Sequence, residues 1–199
     1  MKSVKKLLSH SIKVFTVISL LSLTNSAFSA TLPSVIDDFS DANNTNIGMP
    51  RISLSDTAAG GQTTTELKIT DGVIQVKGQI SPPRGQPGWS SLVLPLGPIE
   101  TPQDASHFSG IRILVKINTG NISISANSSE ITNFDYHSAQ VVASTDGKFH
   151  EVKIPFESMQ RMWSEKTALN SKTLNSLSIV AFGVQKSAFD FEIDEVSFY

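Results

Sequence analysis

Apolar and polar side chains alternate along much of the chain, and the alternation is cleanest at its end. Phe189, Phe191 and Ile193 interleave with Asp190, Glu192 and Asp194, the period-two pattern of a strand with one buried face. After Glu195 the apolar positions move to Val196 and Phe198, so the parity slips by one residue. One extra residue has this effect, and the slip predicts a β-bulge near Asp194 and Glu195. Ile111, Ile113, Val115 and Ile117 repeat the alternation, and shorter strand-like runs cover 35–39, 66–70, 73–80, 89–96, 122–125, 136–143, 149–154 and 174–185.

Turn signals separate these runs. Asp71-Gly72 between two alternating segments predicts a hairpin, because both central residues need positive φ. Thr119-Gly120-Asn121 predicts a second hairpin, and Thr145-Asp146-Gly147-Lys148 a third. Pro82, Pro83 and Pro87 make 81–88 a surface loop. Met159, Met162, Trp163 and Leu169 stand at loose helical spacing, so 159–169 is the segment that reads as helix. Strands recurring between turns, with at most one or two short helices, predict an all-β antiparallel β-sandwich or barrel rather than an alternating α/β fold.

The first thirty residues read as something else. Lys2, Lys5, Lys6 and Lys13 precede or enter an apolar run over 14–23, and small residues follow as far as Ala30. That order is a secretory signal, best cleaved after Ser29 with Ala27 at the small-residue position. The run is shorter than the roughly 20 apolar residues of a membrane span. Residues 31–199 are expected to form one domain, periplasmic or secreted, and not an integral membrane protein once the leader is cut. Loss of the leader removes four lysines and no acid, which takes the net charge from −2 to −6. An acidic domain without a basic stripe makes a poor nucleic-acid binder. With no cysteine there is no disulfide and no thiolate chemistry.

Catalytic signatures are sparse. His107, His137 and His150 are far apart and in no metal-ligand spacing. No Gly-x-Ser-x-Gly elbow appears, nor a Gly-rich nucleotide fingerprint. Asp37-Asp38 and Asp194-Glu195 are adjacent strand residues that point to opposite faces, unlike the opposed acid and base of a glycosidase. The expectation is a domain that is not an enzyme.

Two sets of residues remain as candidate sites. Trp89 follows Pro87-Gly88, and Phe134, Asp135, Tyr136 and His137 place two rings among hydrogen-bonding groups. Rings that cover sugar C–H faces beside polar groups that take hydroxyls would suit a polysaccharide or other glycan. The competing reading makes Trp89 a core residue and Trp163 packing on the helical segment. Asp38 near the first strand and Asp194 at the bulge of the last are candidate ligands for a structural calcium, which takes 6–8 oxygens. Their competing reading is solvent-facing residues at two strand ends.

The order of several short motifs resembles the complex I intermediate-associated protein family. These are Ile36-Asp37-Asp38-Phe39, then Asp56 with Gly60-Gly61-Gln62-Thr63, Gly78, and Gly88-Trp89-Ser90-Ser91. Phe149-His150-Glu151-Val152-Lys153-Ile154-Pro155-Phe156 and Phe191-Glu192-Ile193-Asp194-Glu195-Val196 complete the likeness. The tryptophan usual before the Asp-Gly-Gly segment is replaced by Met49 and Ile52 nearby, and Ala58-Ala59 stand where a bulkier residue is expected. The resemblance implies a galactose-binding-like jelly roll. It implies kinship both with assembly chaperones and with the carbohydrate-binding modules of secreted enzymes, which often hold a structural calcium. Two functions are therefore expected in order: binding of carbohydrate or another hydroxyl-rich ligand through a concave face, or interaction with an envelope protein as an assembly factor.

Overall fold

The computed structural model describes residues 31–99 and 101–199; the leader expected over 1–30 lies outside the described residues. Among these, eleven strands form: β1 (Val35–Asp37), β2 (Ile52–Ser55), β3 (Thr64–Thr70), β4 (Val73–Ile80), β5 (Gly88–Pro95), β6 (Gly110–Thr119), β7 (Asn121–Ser128), β8 (His137–Gln140), β9 (His150–Pro155), β10 (Leu174–Gly183) and β11 (Ser187–Phe198). One sheet runs β3-β4-β11-β6-β9 with β1 against β11, and the other runs β2-β5-β10-β7-β8. Every pairing is antiparallel. Helix among the described residues is confined to 3-10 turns at Asp56–Ala59, Phe156–Ser158 and Ser171–Thr173. The fold is the all-β antiparallel sandwich that the alternation predicts, of the jelly-roll type that the resemblance implies.

The closing strand is central to its sheet, between β4 and β6. Its Phe189, Phe191, Ile193, Val196 and Phe198 are all buried, and each large apolar side chain removed from water contributes about 1.5–3 kcal/mol. Ile193 faces Val115 of β6 while Glu195 faces Leu114, so Asp194 is the extra residue of a bulge. The bulge returns Val196 and Phe198 to the core. Phe189 fits because two glycines leave it room. A Cβ on Gly78 would lie 2.7 Å from its Cζ, and one on Gly120 would lie 2.8 Å from its Cβ.

Local turn signals found the strand ends but only one of the expected partners. Asp71 and Gly72 have φ of 51° and 76° and close the β3–β4 hairpin. Thr119-Gly120-Asn121 does not close a hairpin: β6 lies in one sheet and β7 in the other. Thr145 to Lys148 likewise carries the chain between sheets, from β8 to β9. The reason is that a strand with one apolar face gains as much from any well-registered neighbour as from its nearest in sequence. β7 instead pairs with β8 across the loop 129–136.

No helix forms over 159–169 beyond the flanking 3-10 turn. Met159 alone is buried, whereas Met162 and Trp163 are 67% and 70% exposed, so Trp163 does not pack in the core. A buried carboxylate takes the backbone donors of this segment, as described next.

Candidate functional site

The two outer faces of the sandwich differ in chemistry. On the six-stranded sheet many outward side chains are charged, and several pair with one another. Arg112 meets Glu151 and Glu195 at 2.6 and 2.5 Å, Lys116 meets Glu192 at 2.6 Å, and Lys77 meets Glu66 at 3.2 Å. None of the strands β2, β5, β7, β8 and β10 contains an Asp, Glu, Lys or Arg. Register places the outward residues of that sheet in rows. Trp89 stands beside Phe182 and Phe182 beside Asn121; Ser91, Val180, Ser123 and Gln140 form the next row; Val93, Ser178, Ser125 and Ser138 the next. The result is an uncharged surface on which hydroxyls and amides are interspersed with Ile52, Leu54, Val93 and Val180, with an aromatic pair at one end.

The aromatic candidates separate by parity. Trp89 lies on this open face, half-buried at the start of β5. Phe134 is 78% exposed at φ 61°, and Tyr136 meets it edge-to-face at 6.4 Å. Asp135 and His137 are buried instead, because consecutive extended residues point to opposite sides. The His137 Nε2 lies 2.8 Å from the Thr167 carbonyl oxygen. Asp135 and His137 therefore leave the expected ligand set and become scaffold. By the burial alternation Tyr136 continues the outward side of β8, in the row of Asn127 and Ser176. That row is about 20 Å along the strands from Trp89 and Phe182.

Asp135 is what keeps Met162 and Trp163 at the surface. Its carboxylate accepts from the backbone N–H groups of Met162, Trp163 and Ser164 at 2.8, 3.1 and 2.6 Å. Burial pushes this carboxyl up, but the Ser164 side chain and those backbone donors outweigh it and hold it below the ordinary aspartate value. A carboxyl lowered in the folded state stabilises above its unfolded pKa, about 3.9, and that stabilisation is lost as pH falls through the folded value. The expected outcome is that the amide signals of Met162, Trp163 and Ser164 lose protection below about pH 4, and that Asp135→Ala abolishes this step.

A second buried carboxylate organises the end of the open face. Asp56 accepts from Thr63 N–H at 3.1 Å, Thr63 Oγ1 at 2.7 Å and Trp89 N–H at 3.1 Å. Gly61 and Gly88 line it so closely that a Cβ would fall 2.2 Å from its Cγ and 2.9 Å from its Oδ2. The Asp…Gly-Gly…Gly-Trp pattern is thus one knot that fixes where β5 begins and where Trp89 stands. Nothing in hydrophobic periodicity signals it.

Asp38 and Asp194 lie where β1 and β11 meet, at the bulge. Asp38 turns its Oδ1 back onto Ser40 N–H and Oγ at 3.1 and 2.6 Å, and the Ser40 hydroxyl holds its carboxyl below the ordinary value. Among the described residues no group of three or more His, Cys, Asp or Glu stands close enough to hold a metal ion. Two carboxylates, one already engaged, do not fit the 6–8 oxygens of calcium. The more consequential acid is the neighbour, Asp37, which is fully buried against Arg51. His150, at the start of β9 in the other sheet, lies 2.7 Å from Asp146 on the exposed β8–β9 connection.

The model of the family described as Complex I intermediate-associated protein 30 matches residues 39–193. The chain belongs to that family. The buried knot from Asp56 to Trp89 and most of both sheets fall inside the matched stretch. Among curated proteins no sequence relative is found. Several solved structures share the fold. The family 11 carbohydrate-binding module of the cellulosomal cellulase Lic26A-Cel5E of Clostridium thermocellum has a TM-score of 0.59 at 17% identity, covering 85% of this chain and 95% of that one. The Clostridium thermocellum family 11 module in complex with a beta-1,3-1,4-mixed-linked tetrasaccharide gives 0.58 at 17% identity, over 85% and 96%. The agarase AgWH50C gives 0.54 at 9% identity, where the match covers 82% of this chain but 24% of that one.

Proposed function

We propose that this member of the family is a non-catalytic binding domain, exported to the periplasm or the medium, whose uncharged sheet face holds a carbohydrate chain. The observation that carries the reading is the segregation of charge: one sheet face is laced with ion pairs, and the strands of the other carry none. A neutral glycan presents hydroxyls for Ser123, Ser125 and Gln140, and C–H faces for rings. Trp89 with Phe182 provides one ring station and Tyr136 with Phe134 a second. A separation of about 20 Å suits an oligosaccharide rather than one sugar. The tetrasaccharide complex of the family 11 module supports the reading by fold.

Affinity electrophoresis through gels containing neutral polysaccharides tests it. Retardation by at least one is expected, with Trp89→Ala weakening it about tenfold, or about 1.4 kcal/mol. No retardation by any, or an unchanged Trp89→Ala variant, overturns the reading.

One observation favours the second reading, docking of an envelope protein. Phe134, Met162 and Trp163 are all exposed, and Asp135 links the segments that carry them. A Trp163→Ser variant that loses a co-purifying protein while keeping its glycan retardation would establish that surface as a separate site.

A further inference from the structure

The β4–β5 and β10–β11 connections, with Gly60 and Gln62, enclose an open groove of about 870 Å³ at one end of the sandwich. Arg84, Lys186, Gln62, Gln86 and Gln185 line it, and no acidic side chain does. Among the described residues neither Arg84 nor Lys186 forms an ion pair, although the domain as a whole is acidic. The nearest buried carboxylate, Asp56, lies behind Gly61 and Gly88 with its oxygens spent on Thr63 and the Trp89 N–H.

The rim is held in place. Gln86 N–H donates to the Pro83 carbonyl at 3.2 Å, and Gly85 has φ 79°, so Pro83 to Gln86 is a turn with Arg84 at its tip. Gln62 N–H donates to the Ser81 carbonyl at 3.0 Å and joins the third wall to the same loop. Pro82, Pro83 and Pro87 restrict the loop further.

Its position gives it meaning. Pro87 is two residues before Trp89, and Val184 two residues after Phe182, and Trp89 and Phe182 are register partners. The groove therefore continues the open face past its aromatic pair. A sugar chain stacked on those rings would carry its next unit between two unpaired cations and three amides.

We propose that this groove is a subsite for an anionic sugar, one bearing a carboxylate or a sulfate ester. Cations and N–H donors recognise both groups, and the net negative charge of the domain disfavours a polyanion where no such cluster of cations and amides offsets it. The proposal rests on the carbohydrate reading of the open face and adds the class of residue accepted at its end.

Calorimetric titration of the leaderless domain with three probes tests it: an oligogalacturonate, a sulfated galactan oligomer and a neutral mixed-linkage glucan oligomer. At least one acidic probe is expected to bind at about 20 mM salt and at least tenfold more weakly at about 500 mM, where screening extends only a few ångströms. Arg84→Gln/Lys186→Gln is expected to lose that affinity at least tenfold, with the melting temperature and any neutral-glucan binding unchanged. Preference for one acidic probe identifies the anion, and equal binding of both supports recognition of charge alone. Neutral binding without acidic binding overturns the subsite and leaves the open-face reading standing. Binding of none of the three probes overturns the subsite, while the open-face reading stands or falls separately on the gel screen. A double variant that binds acidic probes like the wild type overturns the subsite.

Discussion

Arg51→Ala is expected to cost about 3–5 kcal/mol of folding stability, the usual loss when one partner of a buried ion pair is removed. Asp37 is fully buried and the Arg51 side chain nearly so. The two meet through paired bonds, Nε to Oδ2 at 2.6 Å and an Nη to Oδ1 at 2.7 Å. The guanidinium also donates to the Asp41 carbonyl at 2.9 Å and lies 5.0 Å from the centre of the buried Phe39 ring. Phe39 itself has φ 54°, and its N–H donates to Asp37 at 3.0 Å. One ion pair thus pins β1 to the far end of the loop that follows it, where β2 begins in the other sheet. Without Arg51 the Asp37 carboxylate stays buried with a single backbone donor. Chemical denaturation should show the loss, and a domain of this size should melt about 10 °C lower. Asp37→Leu/Arg51→Met replaces both charges by apolar groups and should recover most of the stability. If the double variant is no more stable than Arg51→Ala, the cost lies in lost packing on Phe39 rather than in a stranded charge.

Most strand positions were legible because those strands repeat one local rule, apolar inward and polar outward; β2 was not, since its Ile52 and Leu54 face outward and stay exposed. The bulge at Asp194 was legible for the same reason, since a slipped parity has a single simple geometric cause. Partner choice was not. Gly120 marks a tight change of direction, but only the whole set of strands decides whether the chain turns back in its sheet or crosses to the other. The 159–169 segment failed in a related way. Loose apolar spacing suggested a helix, while a distant Asp135 takes three of its N–H groups and leaves an irregular loop.

The candidate site was legible in part. Ring chemistry points to Trp89, Phe134 and Tyr136, and these are the members of the expected set that are not buried. Asp135 and His137 were included because they are neighbours in sequence, and period-two geometry sends them inward. Phe182 was missed, although it is the register partner of Trp89. The stronger signal was also in the sequence: strand by strand, charge is present in β3, β4, β6, β9 and β11 and absent from β2, β5, β7, β8 and β10. Charge counted along each strand, rather than over the whole chain, is what tells the two faces apart.

Asp56→Ala is expected to be comparably damaging, at about 3–5 kcal/mol, through unsatisfied donors rather than a stranded charge. Thr63 N–H, Thr63 Oγ1 and Trp89 N–H would all lose their acceptor, and each buried donor left unmade costs about 1–3 kcal/mol. Urea midpoints measure the loss, and glycan retardation should weaken with it because Trp89 begins the strand that the knot anchors. Gly61→Ala reaches the same knot from the other side. Its Cβ would sit 2.2 Å from the Asp56 Cγ, too close for any rotamer shift to relieve while the carboxylate keeps its bonds. The three atoms nearest to that Cβ all belong to the Asp56 side chain. Gly61→Ala/Asp56→Ala should therefore cost clearly less than the sum of the two single changes, a coupling of contacting residues that distant sites do not show. Additive costs would mean that Gly61 is needed for the path of its own backbone. In that case the position of Trp89 would be set by the 60–62 segment rather than by the buried carboxylate.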